Sequence, residues 1–132
     1  MIRRKARLLY VASSIVVLAA GIVGLDTASG APPPPAATLS AGGTTFTAGT
    51  SAGLGWTSIP NPTTKDWVGL YPSSGAADTA FVKFRYTEGT VAMAFEPFLI
   101  PFGTTPGTTY EFRLFSNDSF TRLATSPAFN VT

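Results

Sequence analysis

Residues able to do covalent chemistry are scarce in this chain. Its 132 residues include no His and no Cys. That removes imidazole acid–base catalysis, Ser-His triads, thiolate nucleophiles, thiolate-held zinc and disulfide scaffolding. Ser73-Ser74-Gly75 is the nearest approach to a nucleophile. It lacks the strand–turn–helix elbow and any base to activate a hydroxyl, so it reads as a turn. Paired carboxylates hydrolyse glycosides, but residues 36–132 hold only Asp66, Asp78, Glu88, Glu96, Glu111 and Asp118. Asp66, Asp78 and Asp118 are the oxygen ligands calcium would take. No D-x-D-x-D-G run gathers them, and Asp66 is expected to brace its own loop. The expectation is a protein with no catalytic residues, no metal and no cofactor.

What remains is chemistry of contact. Sixteen aromatic residues (10 Phe, 4 Tyr, 2 Trp) serve a chain this short. Most must be core, yet Trp67 and Phe81 are ambiguous, because strand alternation does not say which face is buried. Phe120 lies in the Asn117–Thr121 turn, a surface position. In a sandwich that turn meets the Ser58–Lys65 loop at one end, so Asn61, Lys65, Asn117, Asp118 and Phe120 form a first candidate partner-binding set. A second is the apolar run Phe98-Leu99-Ile100-Pro101-Phe102. With Pro97 and Pro101 barring a central strand, Glu96 to Gly103 reads as a loop, either a lid over the core or an exposed contact patch.

These side chains need a scaffold, and the chain divides into three parts. Arg3, Arg4, Lys5 and Arg7 precede an unbroken apolar run of 18 residues, Leu8 to Leu25, with small residues Ala28-Ser29-Gly30 after it. Residues 1–30 therefore read as an export signal, cleaved after Ser29 or Gly30. As a helix the run measures about 27 Å, enough to remain as a signal anchor. Both readings place the C-terminal part outside the cytoplasm, with membrane contact only through residues 8–25. Residues 31–37, with Pro32 to Pro35, make a stiff polyproline spacer. Residues 36–132 carry five basic and six acidic groups, a net of −1. The high pI of the whole chain belongs to the leader, and nucleic acid is excluded as a partner for want of a basic stripe.

From residue 38 to 132 short alternating runs recur, each closed by turn residues. Seven strands are expected: Thr38 to Thr47 with a break at Gly42-Gly43, Ser51–Thr57, Asp66–Tyr71, Ala80–Tyr86, Thr90–Phe95, Tyr110–Ser116, and Arg122–Val131 with a break at Pro127. Ala52, Leu54 and Trp56 share one face; so do Tyr110, Phe112 and Leu114. Val91, Met93 and Phe95 align, and in the fourth strand Phe84 and Tyr86 oppose Phe81, Lys83 and Arg85. This is the pattern of an all-β, seven-stranded Ig/fibronectin III-like sandwich. Tyr110, opening a strand after a long loop, is placed as a tyrosine corner whose hydroxyl bonds upstream backbone.

Asp66-Trp67-Val68-Gly69-Leu70-Tyr71, then Tyr110-Glu111-Phe112-Arg113-Leu114-Phe115-Ser116-Asn117-Asp118 and Leu123-Ala124-Thr125-Ser126, resemble the Ig/fibronectin III-like modules that accompany secreted bacterial enzymes. The layout is similar to the SKICH domain and to the N-terminal domain of plant-type purple acid phosphatases. The resemblance implies a fold and is nearly silent on activity. The function expected is a non-catalytic, extracytoplasmic recognition or adhesion module, secreted or tethered, meeting a protein or glycan at the cell surface. The alternatives are a self-associating structural or envelope subunit and a small carbohydrate-binding accessory protein.

Overall fold

Runs that can bury one face while wetting the other become strands, and the described part of the chain does this nine times. The computed structural model describes Pro33, residues 35–73 and residues 75–132; the expected leader and the start of the proline spacer lie outside the described residues. The strands are β1 (Thr38–Ser40), β2 (Thr45–Phe46), β3 (Ser51–Thr57), β4 (Trp67–Pro72), β5 (Lys83–Tyr86), β6 (Met93–Leu99), β7 (Thr109–Phe115), β8 (Arg122–Thr125) and β9 (Phe129–Val131). Among the described residues there is no helix. The fold is all-β, in two sheets. The smaller has the order β1-β3-β6; the larger has the order β2-β9-β7-β4-β5, with β8 also paired to β7.

Nine strands replace seven because the first and last expected strands each break. At Gly42 the chain leaves the smaller sheet, so that β2 pairs in parallel with β9 of the larger. Gly42 has φ +74°, and a Cβ there would stand 2.7 Å from the Gly53 carbonyl oxygen. Only glycine crosses β3 that closely. Pro127, which has no N–H to give a ladder, separates β8 from β9.

The two sheets share one core. Ala52, Leu54 and Trp56 of β3 meet Val68 and Leu70 of β4, Phe98 of β6, Tyr110, Phe112 and Leu114 of β7, and Phe129 and Val131 of β9. The buried Trp56 donates its indole N–H to Thr90 Oγ1 at 3.1 Å. Tyr110 makes the upstream contact expected of it: its hydroxyl oxygen accepts the Thr105 N–H at 2.9 Å.

Expectations are corrected in two strands, β6 and β5. Residues 96–103 are loop only beyond Leu99, because β6 runs through Pro97 to Leu99. Proline is tolerated there since β6 is an edge strand. The apolar run alternates after all: Phe98 and Ile100 are 2% and 0% exposed, Leu99 and Phe102 45% and 83%. Nor do Val91, Met93 and Phe95 align. Leu54 lies opposite Glu96 but Trp56 opposite Met93, a bulge that turns Phe95 outward, where its ring covers Gly53.

The second correction concerns β5, which begins only at Lys83. Lys83 and Arg85 lie opposite the core residues Leu70 and Val68, so the charged side chains point to the inner side of the sheet. There they bridge the edge strands of the two sheets. Lys83 Nζ donates to the Leu99 carbonyl at 3.2 Å and stands 5.1 Å from the Phe98 ring centre. Arg85 pairs with Glu96 at 2.7 Å. Phe84 and Tyr86 are left facing outward.

Candidate functional site

The outer face of the larger sheet is built on β4. Val68 and Leu70 go to the core, so Trp67, Gly69 and Tyr71 go to the other side. Gly69 is the space between two rings: a Cβ there would sit 2.8 Å from Tyr71 Cε1 and 3.0 Å from Trp67 Cζ3. On one side β7 supplies Phe115, whose ring stacks on the Trp67 indole at 4.5 Å and 25°. On the other, β5 supplies Phe84 and Tyr86. Phe81 precedes β5, and Phe120 arrives from the loop between β7 and β8.

Three of these rings stand nearly upright against the indole. Phe81, Phe84 and Phe120 lie at 69°, 78° and 80° to it, with centres 5.4, 5.7 and 5.7 Å away. Trp67 itself is only 6% exposed, whereas the three phenyl rings are 37–48% exposed. With Tyr86 and Asp118 they enclose an open cup of about 180 Å³. Seven of the sixteen aromatic residues thus gather on this outer face.

Asp66 ties the rim loops together. This buried carboxylate accepts the Thr63 N–H at 2.8 Å, the Thr63 hydroxyl at 2.9 Å and the Asn117 N–H at 2.9 Å. The Asp118 N–H donates to the Lys65 carbonyl at 2.9 Å, so the two loops meet at one end as expected. Asn117 and Asp118 both have positive φ (45° and 56°), a conformation these residues tolerate better than most. Asp118 Oδ1 accepts the Tyr86 hydroxyl at 2.8 Å, and that bond raises the Tyr86 pKa above its ordinary value. Lys65 Nζ lies 5.1 Å from the Tyr86 ring centre. The Trp67 indole N–H donates to the Ser119 carbonyl at 3.1 Å, holding the Phe120 loop against the indole.

The loop carrying Phe81 is held by Arg113. Its buried guanidinium bonds Glu111 at 2.7 Å, Asp78 at 2.8 Å and the Ala76 carbonyl at 2.7 Å, and stacks 4.2 Å from the Tyr71 ring centre. Burial pulls the Arg113 pKa down, but Glu111 and Asp78 outweigh it and the net shift is upward. Arg122 shares Asp78 at 2.5 Å. Tyr71 donates its hydroxyl to the Asp78 carbonyl at 2.6 Å; burial, then the Asp78 charge, push its pKa up to about 12.

Of the first expected set, Asp118 and Phe120 line the cup and Lys65 stands beside it on Tyr86. Asn117 serves the loop through its backbone, and the exposed Asn61 is not among the lining residues. The second set divides: Phe98 and Ile100 belong to the core, while Leu99 and Phe102 are exposed away from the cup lining. Asp66, Asp78 and Asp118 are each engaged by protein donors. Among the described residues no three acidic side chains gather as a metal site.

Phe84 and Tyr86 were not foreseen. Their alternation with Lys83 and Arg85 fits either face, and a lysine and an arginine turned inward reverse the usual hydrophobic rule. No protein-family model matches the chain, and no curated protein gives a significant sequence match.

Proposed function

We propose that the protein is a non-catalytic recognition module that works outside the cytoplasm, secreted or held to the membrane by its leader, with the outer face of the larger sheet as its contact surface. One observation carries the reading: Phe81, Phe84 and Phe120 stay substantially exposed around Trp67 while β5 turns its charged residues inward. A fold seeking only stability would do the reverse, since exposed apolar clusters mark sites that partners cover. The polar groups of the cup are a carboxylate and a phenol already bonded to each other. That pairing suits holding a ligand. The basic residues and apolar run at 3–25 support export or anchoring. The two strand motifs, the shared core and the Tyr110–Thr105 bond support an Ig/fibronectin III-like ancestry.

Retention of the full-length protein on intact source cells, compared between the native chain and Phe84→Ser/Phe120→Ser, tests this reading. Retention lost with folding intact is expected; retention unchanged refutes it. A second reading rests on a different face: Phe95, Leu99 and Phe102 are 64%, 45% and 83% exposed, and they suit a self-associating subunit. Sedimentation that shows concentration-dependent oligomers abolished by Leu99→Ser/Phe102→Ser would favour it.

A further inference from the structure

The recognition reading leaves the ligand open, and the cup narrows it. Its lining is Trp67, Phe81, Phe84, Tyr86, Phe120 and one carboxylate, Asp118. Three phenyl rings at 69–80° to the indole make a box rather than a plane. A sugar ring stacks on an open flat face and needs hydrogen-bond partners for its hydroxyls. Here the indole is 6% exposed, and the Tyr86 hydroxyl is already spent on Asp118. Ring faces carry negative quadrupole density and attract cations. One rim group is a carboxylate, and Tyr86 already has an ammonium, Lys65 Nζ, 5.1 Å from its centre. A primary ammonium seated deep among the rings would have one rim carboxylate, Asp118, for its three N–H donors. A quaternary ammonium has none, and its methyl groups fit apolar walls.

We infer that the cup formed by Trp67, Phe81, Phe84, Tyr86 and Phe120 with Asp118 at its rim binds the trimethylammonium group of a small soluble molecule of the choline type. This rests on the outer face being the contact surface and adds the chemical class of what it holds. Cation–π attraction to the exposed phenyl faces of Phe81, Phe84 and Phe120 supplies the affinity above the buried indole floor, and the Asp118 carboxylate offsets the like charge of Lys65 on Tyr86.

The two tryptophans give a built-in control. Trp67 donates its indole N–H at the cup to Ser119, and Trp56 donates its own in the core to Thr90. In full-length protein with isotope-labelled indoles, choline should shift the Trp67 N–H resonance saturably and leave that of Trp56 in place. The neutral carbon isostere dimethylbutanol should need at least about tenfold higher concentration, and Phe120→Ala should weaken choline binding about fivefold or more, as loss of one cation–π wall implies. Asp118→Asn keeps an acceptor for Tyr86 and should weaken choline without weakening the isostere. Equal binding of choline and isostere would overturn the cation assignment while leaving an apolar recognition cup. So would a Trp67 response to glucose or chitobiose with none to choline. A response confined to phosphatidylcholine vesicles would overturn the soluble ligand. Silence toward all five probes overturns this inference, and cell retention then decides the recognition reading separately.

Discussion

Asp66→Asn should unfasten one end of the molecule although it removes a single charge and almost no volume. The carboxylate accepts three hydrogen bonds, from the Thr63 N–H, the Thr63 hydroxyl and the Asn117 N–H. Asparagine keeps one oxygen, enough for Thr63 Oγ1 and Asn117 N, which share Oδ1. Its amide group must then face the Thr63 N–H, donor against donor, where 2.8 Å now separates nitrogen from oxygen. One lost bond to a charged, buried acceptor costs about 1.5–3 kcal/mol. Asp66→Ala loses all three bonds; water re-pairs part of the half-buried Thr63, so about 3–4 kcal/mol is expected rather than the full sum. Against a typical domain stability of about 5–15 kcal/mol, either loss is a large share. For a domain of this size each kcal/mol moves the melting temperature by about 4–8 °C, so the asparagine variant should melt roughly 6–24 °C lower. Urea unfolding followed by tryptophan fluorescence measures the total, and amide exchange at Asn117 measures the loop. An asparagine variant within about 0.5 kcal/mol of the native chain, with the Asn117 amide equally protected, would refute the clamp.

Phe98→Ser should cost about 3–5 kcal/mol by opening the core, while Phe102→Ser at 83% exposure should stay within about 0.5 kcal/mol; paired urea melts separate the two halves of one apolar run. Tyr110→Phe removes the acceptor of the Thr105 N–H and should cost about 1 kcal/mol, read in the same melts. Tyr71 has a folded pKa raised from 10.0 to about 12, so its contribution to stability is whole below pH 10 and is lost as pH rises through 12. Tyr71→Phe should therefore be less stable at neutral pH yet lose stability more gently across that interval, in melting curves recorded at stepped pH.

Much of the architecture could be read from residue order. Ala52, Leu54 and Trp56 alternate into the core, as do Tyr110, Phe112 and Leu114, because period-2 patterning is strong where one face is apolar and the other is not. Asp66 bracing its own loop was expected for want of a calcium-binding run, and its bond to Asn117 of the second loop was not. The rim was half legible: turn residues located Asp118 and Phe120, and sandwich geometry brought their loop to Lys65. The walls were not. In β5 both alternating faces are long side chains, and period alone does not say that Lys83 and Arg85 reach inward to Leu99 and Glu96. The strand through Pro97 was hidden because proline bars a central strand but leaves an edge strand and a loop equally open. A bulge near Phe95 then shifted the phase of its alternation.

The central claim is that contact is made by the outer face of the larger sheet. Its most direct test is the backbone amide footprint left on the full-length protein by source-cell surface material it retains. Shifts concentrated at Trp67, Phe84, Tyr86, Asp118 and Phe120, with β6 unmoved, are what the account predicts. A footprint on Phe95, Leu99 and Phe102 with the cup unmoved would contradict it.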